Sequence, residues 1–323
     1  MRVVKVSEQE AGQRLDKLLL KYMSEASKGF LFKMLRKKNI TLNGKKADGS
    51  EKVCFGDEIK LFLSDETINR FSSKQELQIV KEIPLDILYE DENILLVNKP
   101  AGMLSQKAAD TDVSLNEYCI SHVVANGSLT REILKTFKPS VCNRLDRNTS
   151  GIVIFGKSLA GLQTMSALLK DRTMHKYYLC PVYGTVKSEQ LIKGYLKKDE
   201  KTNRVTIHDS QIEDSAYIET RYRPVQIIQN GTLLEVELIT GKTHQIRAHL
   251  ASIGYPIIGD AKYGNQKVND RYREKYGITS QLLHAYKLVM PKLEDPLAAV
   301  SERTFLAPVP ERFQCVTGEI KIM

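Results

Sequence analysis

The sequence predicts a mixed α+β protein in two parts, and three observations carry that expectation. Strand-like and helix-like stretches follow one another without regular alternation, which argues against a doubly wound parallel sheet. A strong two-residue hairpin signal, Asn43-Gly44, sits between short apolar runs near the start. The basic charge is concentrated at the same end: residues 1–63 hold 14 Lys+Arg and 8 Asp+Glu, so +6 of the chain's +9 lies in a fifth of its length.

Within that first part, Leu15, Leu18, Leu19 and Tyr22 recur at helical spacing and predict a helix over 14–23. Ser27 offers an N-cap for a second helix over 28–38, with Phe30, Leu31, Met34 and Leu35 on one face and Lys33, Arg36 and Lys37 near the other. Ile40 and Leu42 alternate into the hairpin, and Gly56-Asp57 turns the chain into a strand over 58–63. Residues 64–82 are polar and read as a linker, with a short strand near 77–80. Beyond Pro84, strands are predicted over 87–89 and 94–98 and a turn at Pro100-Ala-Gly. A helix over 114–124, a strand over 152–155 and a helix over 159–170 follow. Strands over 177–184, 218–228 and 233–239 then lead to a helix over 243–252.

The 323 residues suffice for about two domains of ~150 residues. No run approaches the ~18 apolar residues of a membrane helix, and the polar start lacks a secretory pattern, so a cytoplasmic protein is expected. The five cysteines form no CxxC pair, so they read as reduced thiols, mostly packed in the core. A pI near 9.1 favours polyanionic partners.

Two stretches draw attention. In "VCNRLDRNTSGIVIFGKS" a single carboxylate, Asp146, stands between Arg144 and Arg147 on a turn leading into a β-branched strand. On the residues alone the plain reading is structural: an ion pair with Arg144 or Arg147, or an Asx turn. The same triplet at Arg14 to Asp16 opens a helix, where the acid complements the helix dipole. In "TGKTHQIRAHLASIG" a phosphate loop fails for want of a glycine five positions before Gly241. His244 and His249 fall about 140° apart on a helix, which is poor for sharing a metal. Arg247 reads either as an ordinary surface arginine or as a fork aimed at a carboxylate or phosphate.

Taken together, these stretches resemble the RluA-type pseudouridine synthases. "NRLDRNTSGIVIFGK", "LVNKPAGM", "KYYLCPVYG", "TGKTHQIRAHL", "YPIIGDAKYG", "LLHAYKL" and "FLAPVPERF" follow the family's landmarks in order over roughly 84–313. Residues 13–63 resemble the ribosomal-S-four-type, or alpha-L, RNA-binding domain. The chain departs from the family pattern at Asn143 (usually His), at Lys242 (usually Arg), and after Met103, where a Val-His is usual. The resemblance implies three parts. An alpha-L type RNA-binding domain spans 1–63, and a linker spans 64–83. A catalytic domain spans 84–323, on a mixed, mainly antiparallel sheet with flanking helices and a central cleft.

It also implies the chemistry. The family isomerises uridines already in RNA, so no redox cofactor, nucleotide cofactor or metal is expected, nor any membrane. Asp146, Tyr178 and Arg247 are the implied catalytic residues, with Arg247 the implied partner of the Asp146 carboxylate, and Ile246 and Leu283 the implied pocket neighbours. Arg144 would fill the space left by an extruded uridine, with Arg147 beside it. Lys28, Lys33, Arg36, Lys37, Lys38, Lys45 and Lys46 would meet phosphates. The expected protein is a monomeric enzyme acting on RNA, with large-subunit ribosomal RNA as the expected substrate. A synthase acting on transfer RNA and a non-catalytic ribosome-assembly factor with the same fold are the other readings. A glycoside-cleaving enzyme would need a second acid in a comparable motif, and none is present.

Overall fold

The computed structural model describes residues 1–72, 80 and 83–320. The chain forms two compact units, one of Met1–Leu96, Gln106–Asn143 and Ile154–Ala167, the other of Val97–Ser105, Arg144–Val153 and Leu168–Met323.

The first unit opens with β1 (Arg2–Lys5), α1 (Leu15–Tyr22), α2 (Lys28–Arg36), β2 (Ile40–Leu42), β3 (Lys45–Lys46) and β4 (Glu58–Leu61), the strands ordered β1-β4-β2-β3. Asn43 and Gly44 take positive φ of 51° and 74°, the conformation that a tight two-residue hairpin demands. The Ser27 side chain accepts the Phe30 amide and starts α2. Leu15, Leu18, Leu19, Leu31, Leu35, Ile40, Ile59 and Leu61 bury together as one core.

The polar stretch after this sheet is not patternless: α3 (Asp65–Phe71) starts at Ser64, whose side chain accepts the Thr67 amide. Ile68 enters the same core and Phe71 packs on Phe30, ring centroids 4.6 Å apart. Two apolar positions among seven were too few to signal this helix. Of the strand expected near 77–80, residues 77–79 lie outside the described residues.

β5 (Ile87–Glu90), β6 (Ile94–Lys99), α4 (Leu115–Ala125), α5 (Ile133–Thr136), β7 (Ser140–Val141), β8 (Ser150–Gly156) and α6 (Leu159–Asp171) follow. β9 (His175–Tyr183), β10 (Gln190–Asp199), β11 (Arg204–His208), β12 (Ser215–Ile228) and β13 (Gly231–Leu238) build the body of the second unit. After them come α7 (Gln245–Ser252), α8 (Gln266–Tyr276), β14 (His284–Val289), β15 (Thr304–Leu306) and α9 (Glu311–Thr317).

The large sheet runs β11-β10-β12-β13-β9-β14-β8-β6-β5, with β15 on β14 and β7 on β8. Pairings from β11 through β14 are antiparallel, and β14 meets β8 in parallel at His284↔Ser150 and Ala285↔Gly151. The mixed, mainly antiparallel sheet is the one the resemblance implies. The β10–β11 hairpin and α8 were not anticipated, because their apolar residues are sparse and half exposed. Gly151 has φ 113°, and a Cβ there would stand 2.2 Å from the Ala285 carbonyl oxygen, so β8 and β14 can pair only with glycine at this position.

All five cysteines are free: Cys119 and Cys180 are buried, Cys142 is partly covered, and Cys54 and Cys315 are exposed, so the core-packed expectation holds for only part of the set. Among the described residues no helix is long and apolar enough to cross a membrane.

Two buried histidines tie elements of the second unit, His249 joining α7 to β12 and His284 joining β14 to β8. His249 Nδ1 lies 3.0 Å from Thr220 Oγ1, and His284 Nδ1 lies 2.9 Å from Ser150 Oγ. Burial lowers both, from 6.5 to about 4. The unfolded chain therefore takes up these protons first as pH falls. Stability from this source is complete above about pH 6.5 and declines toward pH 4, by up to about 1.4 kcal/mol per pH unit for each histidine. Urea titrations across that window are expected to show this slope, and His284→Asn to reduce it by one proton. An unchanged slope in the variant would remove His284 from the account.

Candidate active site

The site is built from the Asp146 turn upward. Leu145, just before the acid, is buried, and Ser105 Oγ both accepts the Leu145 amide at 3.0 Å and donates to its carbonyl at 3.0 Å. Just after the acid, the Arg147 carbonyl accepts the Gly102 amide at 2.8 Å and Lys99 Nζ at 3.1 Å. Lys99 is wholly buried and also donates to the carbonyls of Pro100 and Met103, at 2.9 and 2.8 Å. Burial lowers its pKa to about 7, against the pull of the Asp146 charge and with a push from Arg312. The backbone on both sides of Asp146 is thus pinned to the 99–105 loop, and the carboxylate projects from a fixed point.

Asp146 does not pair with its neighbours. Arg144 and Arg147 are exposed on the turn, while Arg247 Nη1 donates to Asp146 Oδ2 at 2.7 Å. The local ion pair or Asx turn read from the residues alone is therefore corrected, and the partner is the one the resemblance implies, 101 positions downstream. The control triplet does the opposite: Arg14 donates to Asp16 from Nε and Nη2, at 3.1 and 3.0 Å.

Arg247 stands in the first turn of α7 and is no surface arginine. Its fork is taken by Asp260, Nε to Oδ2 at 2.6 Å and Nη2 to Oδ1 at 2.9 Å, and its guanidinium lies 5.2 Å from the Tyr263 ring centroid. Asp260 Oδ1 also accepts the amides of Lys262 and Tyr263, at 2.8 and 3.0 Å. Side-chain exposure rises from 0% at Asp260 through 9% at Arg247 to 27% at Asp146, so the chain of charges opens to solvent only at Asp146. Burial opposes the Arg247 charge, but the Asp260 bonds and then the two carboxylate charges outweigh it and raise its pKa. Burial likewise opposes the Asp260 charge, and Arg247 with the two amides holds that carboxyl below its usual range.

The loop before α7 is set by Gln245, buried with its Oε1 accepting Thr240 Oγ1 and the Lys242 amide, and its Nε2 donating to the Glu219 carbonyl and Thr220. His244 caps α7 in the left-handed region (φ 53°, ψ 16°), so the helix starts after it, later than the sequence predicts. Its Nδ1 lies 2.9 Å from the Tyr263 hydroxyl and its Nε2 3.9 Å from Asp146 Oδ2. Among the described residues no group of three or more His, Cys, Asp or Glu is placed to hold an ion.

Tyr178 is buried on β9, paired with Val236 and Ala285. Burial, and then the Asp146 charge, raises its pKa, so its phenol keeps its proton. Ile246 and Leu283 are buried, one beside Arg247 on α7 and the other accepting the Ser150 amide at the entry to β8. Of the two departures in the motifs, Asn143 Oδ1 accepts the Ile154 amide at 2.8 Å, and Lys242 is exposed. Lys28, Lys33, Arg36, Lys37, Lys38, Lys45 and Lys46 are all exposed, and none has an ion pair among the described residues. Sequence reasoning missed Lys99, Ser105, Asp260 and Tyr263. Asp260 and Tyr263 lie in "GDAKYG", where a tight turn carrying an acid after an apolar run was the available signal.

Comparison with known proteins places this geometry. Residues 93–252 match the sequence profile of RNA pseudouridylate synthases and residues 13–59 that of the S4 domain. The chain belongs to the RNA pseudouridine synthase family, whose members are isomerases that convert uridine in RNA to pseudouridine. It is similar to a protein of Mycoplasma genitalium named an uncharacterized RNA pseudouridine synthase, 33% identical over 297 residues, 90% of this chain and 89% of that one. The ribosomal large subunit pseudouridine synthase C of Rickettsia bellii is 31% identical over 289 residues, 86% of this chain and 90% of its own. The solved structure of human RNA pseudouridylate synthase domain containing 4 shares the fold, with a TM-score of 0.56 at 21% identity over 71% of this chain and 90% of that one.

Removing the Asp260 side chain leaves a buried guanidinium with one carboxylate. Asp260→Ala is expected to cost about 3–5 kcal/mol of stability, read from the urea midpoint. A midpoint unmoved from the parent protein's would show that this pair does not hold α7.

Proposed function

We propose that the protein isomerises specific uridines of large-subunit ribosomal RNA, with Asp146 as the catalytic carboxylate. The observation that carries the reading is the 2.7 Å bond from a buried Arg247 to an Asp146 that keeps its other face open. The relatives named as large-subunit synthases, among them that of Vibrio vulnificus at 27% identity over 92% of this chain, support the choice of RNA.

A guanidinium beside the acid favours the ionised form that the chemistry needs. Asp146 then attacks the nucleotide or assists removal of a sugar proton, and the freed uracil turns and rejoins through carbon 5. Tyr178, protonated and close enough to feel the Asp146 charge, gives a ring to stack on the base and a hydroxyl for proton transfer at carbon 5. Arg144, exposed beside the acid, fills the space vacated in the RNA and offsets the few kcal/mol of extrusion. Ile246 and Leu283 shield the reacting base. Residues 1–63, extended by α3 (Asp65–Phe71), act as the electrostatic grip, 84–323 as the catalytic domain, and the stretch between connects them. The protein works as a monomer in the cytoplasm.

RNA tritiated at uridine carbon 5 tests this. The intact protein is expected to release tritium from large-subunit ribosomal RNA and not from transfer RNA. Asp146→Ala is expected to release none, and Arg247→Lys to lower kcat about 10–100-fold, because lysine cannot serve both carboxylates. Undiminished release by Asp146→Ala would sink the assignment, and release from transfer RNA alone would replace the substrate. Joint replacement of Lys33 and Arg36 by Ala is expected to lower the slope of log affinity against log salt by about 1.5. A slope equal to the parent's would exclude these two side chains from the RNA contact.

A further inference from the structure

His244 is fixed in one protonation state by its surroundings. The Val205 amide donates to the Tyr263 hydroxyl oxygen at 2.9 Å, and that hydroxyl's own proton can then be given to His244 Nδ1, also at 2.9 Å, in the tautomer that leaves Nδ1 unprotonated. Nδ1 is then the acceptor, and Nε2 carries the ring proton. Burial lowers the His244 pKa, against the pull of the Asp146 charge and with a push from Arg247 and Lys262, so the ring is neutral at neutral pH. Tyr263 also packs its ring against His244 edge to face, centroids 5.6 Å apart, and beneath Arg247. One tyrosine therefore orients both groups that face Asp146. The left-handed backbone of His244 is strained for a residue with a side chain and is held by this packing.

A donor, Nε2–H, thus faces an acceptor, Asp146 Oδ2, across 3.9 Å. That is too long for a hydrogen bond between them. Two bonds of about 2.8 Å to a shared atom would span it, meeting at about 90°. The shared atom must accept on one side and donate on the other, which a hydroxyl does. Uracil offers none: its two carbonyls only accept and its ring N–H only donates. A nucleotide inside an RNA chain has both its 3′ and 5′ oxygens esterified and keeps a single hydroxyl, the 2′.

We propose that His244 and Asp146 together read the ribose 2′-hydroxyl of the target nucleotide, His244 donating to its oxygen and Asp146 accepting its proton. The inference rests on the reading of Asp146 as the residue that faces the extruded uridine. It makes this pair the element that separates RNA from DNA at the site, with His244 a contact residue and Tyr263 a positioning residue.

The experiment uses two transcripts of one large-subunit ribosomal RNA fragment, one with uridine and one with 2′-deoxyuridine, both tritiated at carbon 5. The intact protein is expected to prefer the ribose transcript about 10–100-fold in kcat/KM. In His244→Ala, the loss on the ribose transcript is expected to exceed the loss on the deoxy transcript about tenfold, because only the former has a hydroxyl to lose. His244→Asn tolerates the left-handed backbone and keeps an N–H, and should retain part of the preference. Tyr263→Phe frees the ring proton to move and should reduce it. Any refolding of the deoxy RNA cancels, since each transcript meets every variant. Equal losses on both transcripts in His244→Ala and His244→Asn would overturn the proposal and leave His244 holding water or the start of α7. If His244→Ala fails to fold, the other two variants decide. No tritium release from the ribose transcript by the intact protein would count against the functional reading instead. The ratio of filter-binding affinities for the two transcripts, intact against His244→Asn, would then decide this proposal without turnover.

Discussion

The second unit depends on one buried cation shared between two carboxylates of unequal depth. A guanidinium taken out of water needs compensating charge and filled donor positions. Asp260, wholly buried, takes the fork of Arg247 and fixes its plane, which leaves a single terminal nitrogen for Asp146. The order matters. Because the deep acid is the stronger anchor, the shallow one is oriented without being closed off, its side chain keeping 27% exposure. A lone Arg–Asp pair of equal burial would either drift or seal itself.

Other residues serve that geometry from behind. Lys99 and Ser105 hold the backbone on each side of Asp146, Gln245 holds the loop that launches α7, and Gly151 lets β8 lie against β14 where any side chain would collide. These are backbone-directed tasks, so they fall to side chains with donors to spare or to the absence of a side chain. The buried lysine spends its donors on three carbonyls, which are partial charges only. That explains why it can be buried at all and why its charge is held so weakly.

Much of this was legible in the sequence where periodicity or a motif carried it. The apolar spacing of Leu15 to Tyr22, the Ser27 cap and the Asn43-Gly44 turn gave the first module, and apolar runs gave β6, β8, β9 and β13. α3 escaped because it turns only Ile68 and Phe71 inward, and the β10–β11 hairpin because its buried apolar side chains, Leu196 and Val205, are few among exposed neighbours. At the site, Asp146 and Arg247 stood out through their motifs, and the resemblance implied their pairing, whereas local spacing alone pointed to Arg144 or Arg147. Asp260 was unreadable as an anchor: nothing local to it announces a partner 13 residues back on a helix. His244 invited a metal reading because a histidine's neighbours, which decide its role, are tertiary.

The span between those partners has a kinetic side. The core of the S4 domain closes with Ile68, so this module has all its residues once α3 has left the ribosome. The Asp146–Arg247–Asp260 chain cannot form until residue 260 has emerged. At about 5–20 residues per second, that delay is roughly 10–40 s. For that interval a growing polypeptide presents seven exposed lysine and arginine side chains of its first module while the buried charge chain of its second unit is still incomplete.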